Sequence, residues 1–410
     1  MLFFAAMRIV PDRRMRLAQC VALVLVLASA PSWSAPRIPE RDSEVLERLP
    51  IRPGDPVARE LRELRRQVAE NPQDAPTAVR LARRYFRLAM SEGDPRFIGY
   101  GEAALRTWWP LADPPQGVLV ARALLRQYKH EFDPALNDLA RAGEADPRDD
   151  EVWLWRSALH LVQADYAAAA ADCAKLRPWA AEVDIVGCDT SVAGMTGHAG
   201  AAYGALAAAF QRARDVGPLG RIWFQTRLAE FSLRMGSAAA AEAHFREALA
   251  LGVNDQYLLA DYADFLLDRD RPAEVVPLLA NWVRSDILLL RLAFAERALK
   301  LPAADAHIEA LGARFAAAAM RGERLHLAEE SRYTLGLVGK PAQALALAVD
   351  NWKAQREPRD ARAVLEAAVA ARDPQAAAAV LQWLQSSGHE DPVLRGLAAQ
   401  LAAPPGAQKP

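Results

Sequence analysis

Bulky apolar and small positions return along this chain on a beat of 34 residues. In the stretch opening at Asp150 the frame reads Trp153, then Gln163-Ala164-Asp165-Tyr166, then Ala169. The same frame, 34 residues earlier, reads Leu119, Lys129-His130-Glu131-Phe132 and Ala135, followed by Ala142 and Pro147. Ile222 and Gln256 open two further stretches, again 34 apart; the first carries Leu228-Ala229, Gly236, Ala241, Phe245 and Ala248, the second Tyr262-Ala263, Leu266, Arg271-Pro272 and Leu279. A fixed period of this length predicts an array of helix–turn–helix units, none able to bury its apolar face alone. No stretch sustains the period-two alternation of a strand, and the alanine-rich composition favours helix, so the expected fold class is all-α.

About nine units can be placed between residues 71 and 387, beginning near Ala75, Gln116, Asp150, Asp184, Ile222, Gln256, Asp286, Leu325 and Pro358. Leu81, Ala82 and Tyr85 give the first unit its bulky, small and aromatic positions, and its second helix is expected to end at Trp108-Trp109-Pro110. Turns are expected at Thr196-Gly197-His198, Met235-Gly236-Ser237, Asp270-Arg271-Pro272, Gly339-Lys340-Pro341 and Arg372-Asp373-Pro374, with a longer one at Gly217-Pro218-Leu219-Gly220. The order bulky, small, aromatic, tight turn, Ala, bulky, Ala, Pro resembles the tetratricopeptide (TPR) repeat, and the chain is similar to secreted bacterial TPR-repeat proteins. That resemblance implies a right-handed superhelix, an α-solenoid, whose first helices line a concave groove for an extended peptide or a partner helix. Arg122 and Arg156 depart from the pattern, standing where the repeat carries a bulky apolar residue.

The ends differ from the array. Residues 1–34 read as a signal peptide: Arg8, Arg13, Arg14 and Arg16 precede an apolar run from Cys20 to Ala30, and Ser32-Trp33-Ser34 closes it with small residues suited to cleavage before Ala35. Ala28-Ser29-Ala30 is the other cleavage candidate. The run is about half the ~20 residues a spanning helix needs; the alternative is an uncleaved N-terminal membrane anchor. Residues 35–70 form a Pro-rich lead-in and a capping helix from Pro56 to Glu70, with Leu61, Leu64 and Val68 on one face. Residues 388–410 hold a last capping helix, with Leu394, Leu397 and Leu401, and a tail.

Loss of residues 1–34 removes four arginines and one aspartate, leaving 46 basic and 50 acidic residues and a net charge of −4. Such near-balance argues against nucleic acid as a partner, and nothing after the first segment is apolar for long enough to span a membrane. Cys20 leaves with the signal, so Cys173 and Cys188 remain. An even count in an exported protein points to a disulfide, and the repeat frame puts the two on neighbouring helices; the alternative is two buried thiols.

No catalytic constellation is present: the sequence lacks GxSxG, HExxH, CxxCH and GxxxxGK[ST]. His326 with Glu329 and Glu330 reads as a solvated helix face. No cofactor or metal is expected. What remains is surface for a protein or peptide. Arg80, Arg83, Arg84 and Arg87 crowd the first helix of the array, Asp261, Asp264 and Asp268 share a face of the sixth, and Trp223 and Tyr257 hold equivalent positions on neighbouring first helices. A groove basic at one end and acidic further along would orient an extended partner, with the aromatics as anchors; the plainer reading is solvated faces and core aromatics. The function expected is a non-catalytic interaction scaffold of the periplasm or envelope. The alternative is an envelope enzyme or ligand-binding protein built on helical repeats.

Overall fold

The tight turns organise this molecule. In a computed structural model describing residues 41 and 54–402, nine helical hairpins follow one another in the compact unit that begins at Arg59. The expected signal peptide and most of the lead-in lie outside the described residues. Helix α1 (Pro56–Glu70) precedes the hairpins and buries Leu61 and Leu64, as its stripe predicts. The hairpins are α2 (Ala75–Glu92) with α3 (Arg96–Ala104), α4 (Gln116–Tyr128) with α5 (Phe132–Ala145), and α6 (Asp150–Val162) with α7 (Tyr166–Leu176). Next come α8 (Glu182–Met195) with α9 (Ala199–Arg212), α10 (Pro218–Arg234) with α11 (Ala238–Leu249), and α12 (Gln256–Leu267) with α13 (Pro272–Leu279). The last three are α14 (Asp286–Ala298) with α15 (Ala304–Met320), α16 (Leu327–Gly336) with α17 (Pro341–Trp352), and α18 (Pro358–Ala371) with α19 (Ala378–Ser387); α20 (Pro392–Ala402) ends the described chain.

Each hairpin turns on one residue in the left-handed region. Gly93, Gly197, Gly236 and Gly339 serve four of the turns; His130, Ala164, Asp270, Lys300 and Arg372 serve the other five, at φ of 55–60°. A Cβ in that region costs about 1–2 kcal/mol, which glycine avoids. Lys300 is exposed, so Lys300→Gly should raise stability by about 0.5–1 kcal/mol, net of the greater freedom glycine gives the unfolded chain. Urea unfolding checks this; a loss of stability would show that Lys300 contributes something other than its backbone.

Two expected boundaries move. Helix α3 stops at Ala104, and Trp108-Trp109-Pro110 lie in turns beyond it. The reason is Arg122, whose Nη1 donates to the carbonyls of Trp109 (2.8 Å) and Leu111 (3.0 Å), holding that strap against α4. Gly217-Pro218-Leu219-Gly220 is not an extended turn: Gly217 is the N-cap and Pro218 opens α10, where its missing N–H costs no helical bond.

The two arginines that break the repeat pattern have a common explanation. Arg122 is 3% exposed and grips Asp138, 1% exposed, through Nε (2.8 Å) and Nη2 (2.7 Å). Arg126 adds a third bond to the same carboxylate at 2.6 Å. One period on, Arg156 meets Asp172 at 3.2 Å. Each pair joins the first helix of a hairpin to its second, replacing an apolar contact by a buried ion pair.

Cys173 on α7 and Cys188 on α8 are joined by a disulfide, which staples the third hairpin to the fourth. They are 15 residues apart, a loop for which chain-entropy estimates give about 3 kcal/mol. Reduction should lower the denaturation midpoint accordingly. Alkylation without reductant should label neither Cys173 nor Cys188; labelling of both would remove the staple.

The array winds tightly enough to touch itself. Arg356 N donates to Val162 O at 2.7 Å, Glu390 caps α9 by accepting from Ala199 N at 2.6 Å, and Trp383 Nε1 donates to Tyr166 Oη at 2.7 Å. A Cβ on Gly197 would lie 3.0 Å from Gly388 O, and one on Gly93 2.6 Å from Gln256 Oε1 and 2.8 Å from Ser285 Cβ, so glycine permits these approaches. Every one of these contacts joins hairpins five or six apart. Met195, Leu161 and Tyr166 accordingly share one apolar cluster with Trp352, Trp383 and Leu394. The concave face is thereby walled in.

Candidate functional site: the axial cavity

The winding borders an open-mouthed cavity of about 970 Å³ lined mainly by the first helices of hairpins three to nine. Helices α6, α8 and α10 supply most of its apolar lining, including Leu154, Trp155, Leu161, Val183, Met195, Trp223 and Phe224. The later first helices supply charge: Asp261 and Asp264 from α12 and Asp268 at its C-cap, Arg291 from α14, Glu329 and Arg332 from α16, Arg359 and Arg362 from α18. An axial position for first helices follows from the hairpin geometry, since each second helix packs on the outside of its partner.

The aspartate stripe of α12 reaches this cavity, but it is not a free acidic face. Asp264 accepts from Arg291 (2.6 and 3.1 Å) and from Arg332 (2.9 and 3.1 Å). Burial alone would raise its pKa; the two guanidinium groups outweigh that and hold the carboxyl well below the usual carboxylate range. Asp268 is gripped by Arg362 through two bonds of 2.7 and 2.6 Å, and Arg362 also reaches Glu366 at 2.6 Å. These bonds tie the sixth hairpin to the seventh, eighth and ninth.

Asp261 differs. Burial pushes its carboxyl up to about 7, against the attraction of Arg359 and Arg227 and with the repulsion of Glu230 and Asp264. Tyr257, one turn before it, lies beneath the Arg359 guanidinium at 5.4 Å from the ring centroid, and burial pushes its phenol up to about 12. Trp223, its equivalent one period earlier, stands edge-on to Phe224 and packs over Gly187, where a Cβ would come within 3.2 Å of the indole. Trp223 and Tyr257 remain 39% and 38% exposed.

The basic end is also engaged. Arg83 bonds Glu151 of the third hairpin at 2.6 and 2.8 Å, Arg80 donates to Thr77 at 3.0 Å, and Arg84 meets Glu60 at 2.8 Å. Arg87 is exposed, and partial desolvation, with the repulsion of Arg84, lowers its pKa. None of these four lines the axial cavity. The expected groove, basic at one end and acidic further on, is thus replaced by a wall in which most charges are matched within the chain.

Glu329 lies in this cavity rather than on a solvated outer face; burial works to raise its pKa, and His326 and Arg291 bring it below the usual value. Trp155, Arg227, Glu329 and Arg359 were not among the sequence candidates. A signal for some of them exists: Arg83 with Glu151, and Asp264 with Arg332, are both 68 residues apart, two full periods. Asp261 and Glu329 share that offset. Among the described residues, no group of three or more His, Cys, Asp and Glu is placed to hold a metal ion. No helix among them is long and apolar enough to cross a membrane.

The repeated hairpins and their shared inner wall define the class: an all-α solenoid of TPR-like repeats. No known family's profile matches the chain, and no curated protein does. Solved structures that resemble it include the APC/C hetero-tetramer Cut9-Hcn1, at 11% identity over 85% of this chain and 67% of that one, with a TM-score of 0.49. A tetratricopeptide repeat protein from Parabacteroides merdae ATCC 43184 matches at 12% identity over 84% and 100% of the two chains, TM-score 0.29. The TPR domain of P58(IPK) matches at 13% over 84% and 92%, TM-score 0.20.

Proposed function

We propose that this chain is a non-catalytic protein–protein interaction scaffold of the bacterial cell envelope, released into the periplasm after loss of residues 1–34, with a partner polypeptide docking in the axial cavity. One observation carries the reading: seven consecutive hairpins deliver aromatic, arginine and carboxylate side chains to a single inner wall. Trp223, 39% exposed on that wall, is an anchor of the kind that dominates docking energies, whereas Tyr257 lies outside the lining. The disulfide supports export, because such bonds persist in oxidising compartments. The cavity's volume also falls within the range of small-molecule sites, which favours a ligand-binding protein as the second reading.

Photo-crosslinking in intact cells tests the scaffold. A photoreactive residue at Trp223, inside the cavity, should trap a partner that the same residue at Met320, which is 84% exposed, does not. Equal trapping from both positions moves the interface off the cavity, and no adduct from either overturns the scaffold.

A further inference from the structure

The charges lining the cavity do not all cancel. Asp264 and Asp268 are taken by Arg291, Arg332 and Arg362. Glu230 holds Arg227 at 2.6 Å and Arg234 at 3.6 Å, and Glu357 holds Arg359 at 3.7 Å. Asp261 and Glu329 belong to no such ion pair, although both line the cavity. They occupy equivalent positions two periods apart, on α12 and α16, and neither makes a contact ion pair; the charges of His326, Arg291 and Arg359 favour the ionised form of Glu329, whereas burial outweighs Arg359 and Arg227 at Asp261. Eight carboxylates and seven arginines line the cavity, and Arg269, the arginine there without a contact carboxylate, donates to Phe265 O, so the balance of the lining is acidic.

The rest of the lining fits the same guest. Trp155 and Trp223 line the cavity, and indole rings attract cations and cover the apolar stems of lysine and arginine. Helices from seven hairpins contribute to the lining, which suits an elongated occupant better than a compact one.

We infer that the axial cavity takes a basic polypeptide segment, its lysine or arginine answering Asp261 and Glu329 and its apolar neighbours lying against Trp155 and Trp223. This rests on the scaffold reading and adds to it the sign of the partner's charge. Asp261 faces Arg359 of α18, Arg227 and Glu230 of α10 and Asp264 of its own helix, and with its carboxyl near 7 it is partly protonated at neutral pH. A cation arriving beside it favours the charged form, so binding releases a proton and tightens as pH rises from 6 to 8.

The test is isothermal titration calorimetry of the mature chain, at pH 7, in two buffers of different protonation enthalpy. The probes are an acetylated, amidated hexapeptide with two lysines among leucine and phenylalanine, its glutamate counterpart, and octylamine. The lysine peptide should bind at least tenfold more tightly than the glutamate peptide and release a fraction of a proton. Asp261→Asn should abolish the release and weaken binding about tenfold, and Glu329→Gln should weaken binding with the release retained. Both variants should keep the wild-type circular dichroism, since neither carboxylate makes a contact ion pair within the chain. Tighter binding of the glutamate peptide would overturn the inferred charge and leave the scaffold standing. Octylamine binding as tightly as the lysine peptide would overturn the polypeptide occupant in favour of a small-ligand site. No binding by any probe at millimolar concentration would overturn the basic guest, while photo-crosslinking at Trp223 decides the scaffold separately.

Discussion

Replacing Asp138 by alanine will destabilise the protein by about 3–5 kcal/mol, the usual cost of breaking a buried ion pair by removing one partner. Arg122 keeps the carbonyls of Trp109 and Leu111, but its guanidinium remains almost wholly buried with no carboxylate. Arg126 loses the same acceptor and turns to solvent, at lower cost because it is more exposed. The companion experiment replaces Arg122 and Asp138 by leucine together, restoring the apolar contact that the repeat pattern expects. That double variant should recover more than half of the loss, though not all, since the two carbonyls lose their donor. Urea unfolding followed by circular dichroism measures both. A single variant within about 1 kcal/mol of the parent would show that the pair is dispensable.

Trp383→Ala will cost a comparable 3–5 kcal/mol and will loosen the winding. The indole is 8% exposed, meets Trp352 edge-on at 5.4 Å, and donates to Tyr166 Oη across 217 residues of sequence. Its removal takes the largest side chain from the contact between the ninth hairpin and the third, leaving the Arg356–Val162 and Glu390–Ala199 bonds to hold the closure. Hydrogen exchange should therefore quicken in α6 and α7 as well as in α18 and α19, and small-angle scattering should report a larger radius. Faster exchange confined to α19 would mean that closure does not depend on this contact. Tyr166→Phe separates the two roles of the site: it removes the acceptor, costs about 1–3 kcal/mol for the orphaned indole N–H, and should leave the winding closed.

Both effects fall where sequence and tertiary structure divide. The 34-residue beat located all nine hairpins, because a repeat must present the same apolar face to each neighbour and so writes that face into the chain at fixed intervals. Eight of the nine observed first helices begin within two residues of the expected unit starts; the fifth begins at Pro218 instead of Ile222. Glycine and proline marked the turns at Gly197, Gly236 and Gly339, whereas His130, Ala164 and Lys300 adopt the same left-handed geometry with no local signal. There the packing of two helices forces a conformation that the residue itself disfavours. The cysteine pair was legible because the repeat frame fixes which helices are neighbours.

The candidate site was legible only in part. Asp261, Asp264 and Asp268 were visible as a stripe, and Trp223 and Tyr257 as equivalent anchors, because each feature is local or repeats at one period. Their partners come from hairpins one, two and three units further on, as Arg291, Arg332 and Arg362 show. A local periodicity specifies how each unit packs on the next and says nothing of the small rotation between them. That rotation, accumulated over the array, brings the ninth hairpin against the third and fourth, turns an open groove into a walled cavity, and decides that Asp264 is bound while Asp261 is left facing the space within. The sequence by itself determined the units, their order and their apolar seams, since those depend on nearest neighbours. Only the tertiary structure decided the closure and which charges stay unmatched, since those depend on contacts five or six hairpins apart.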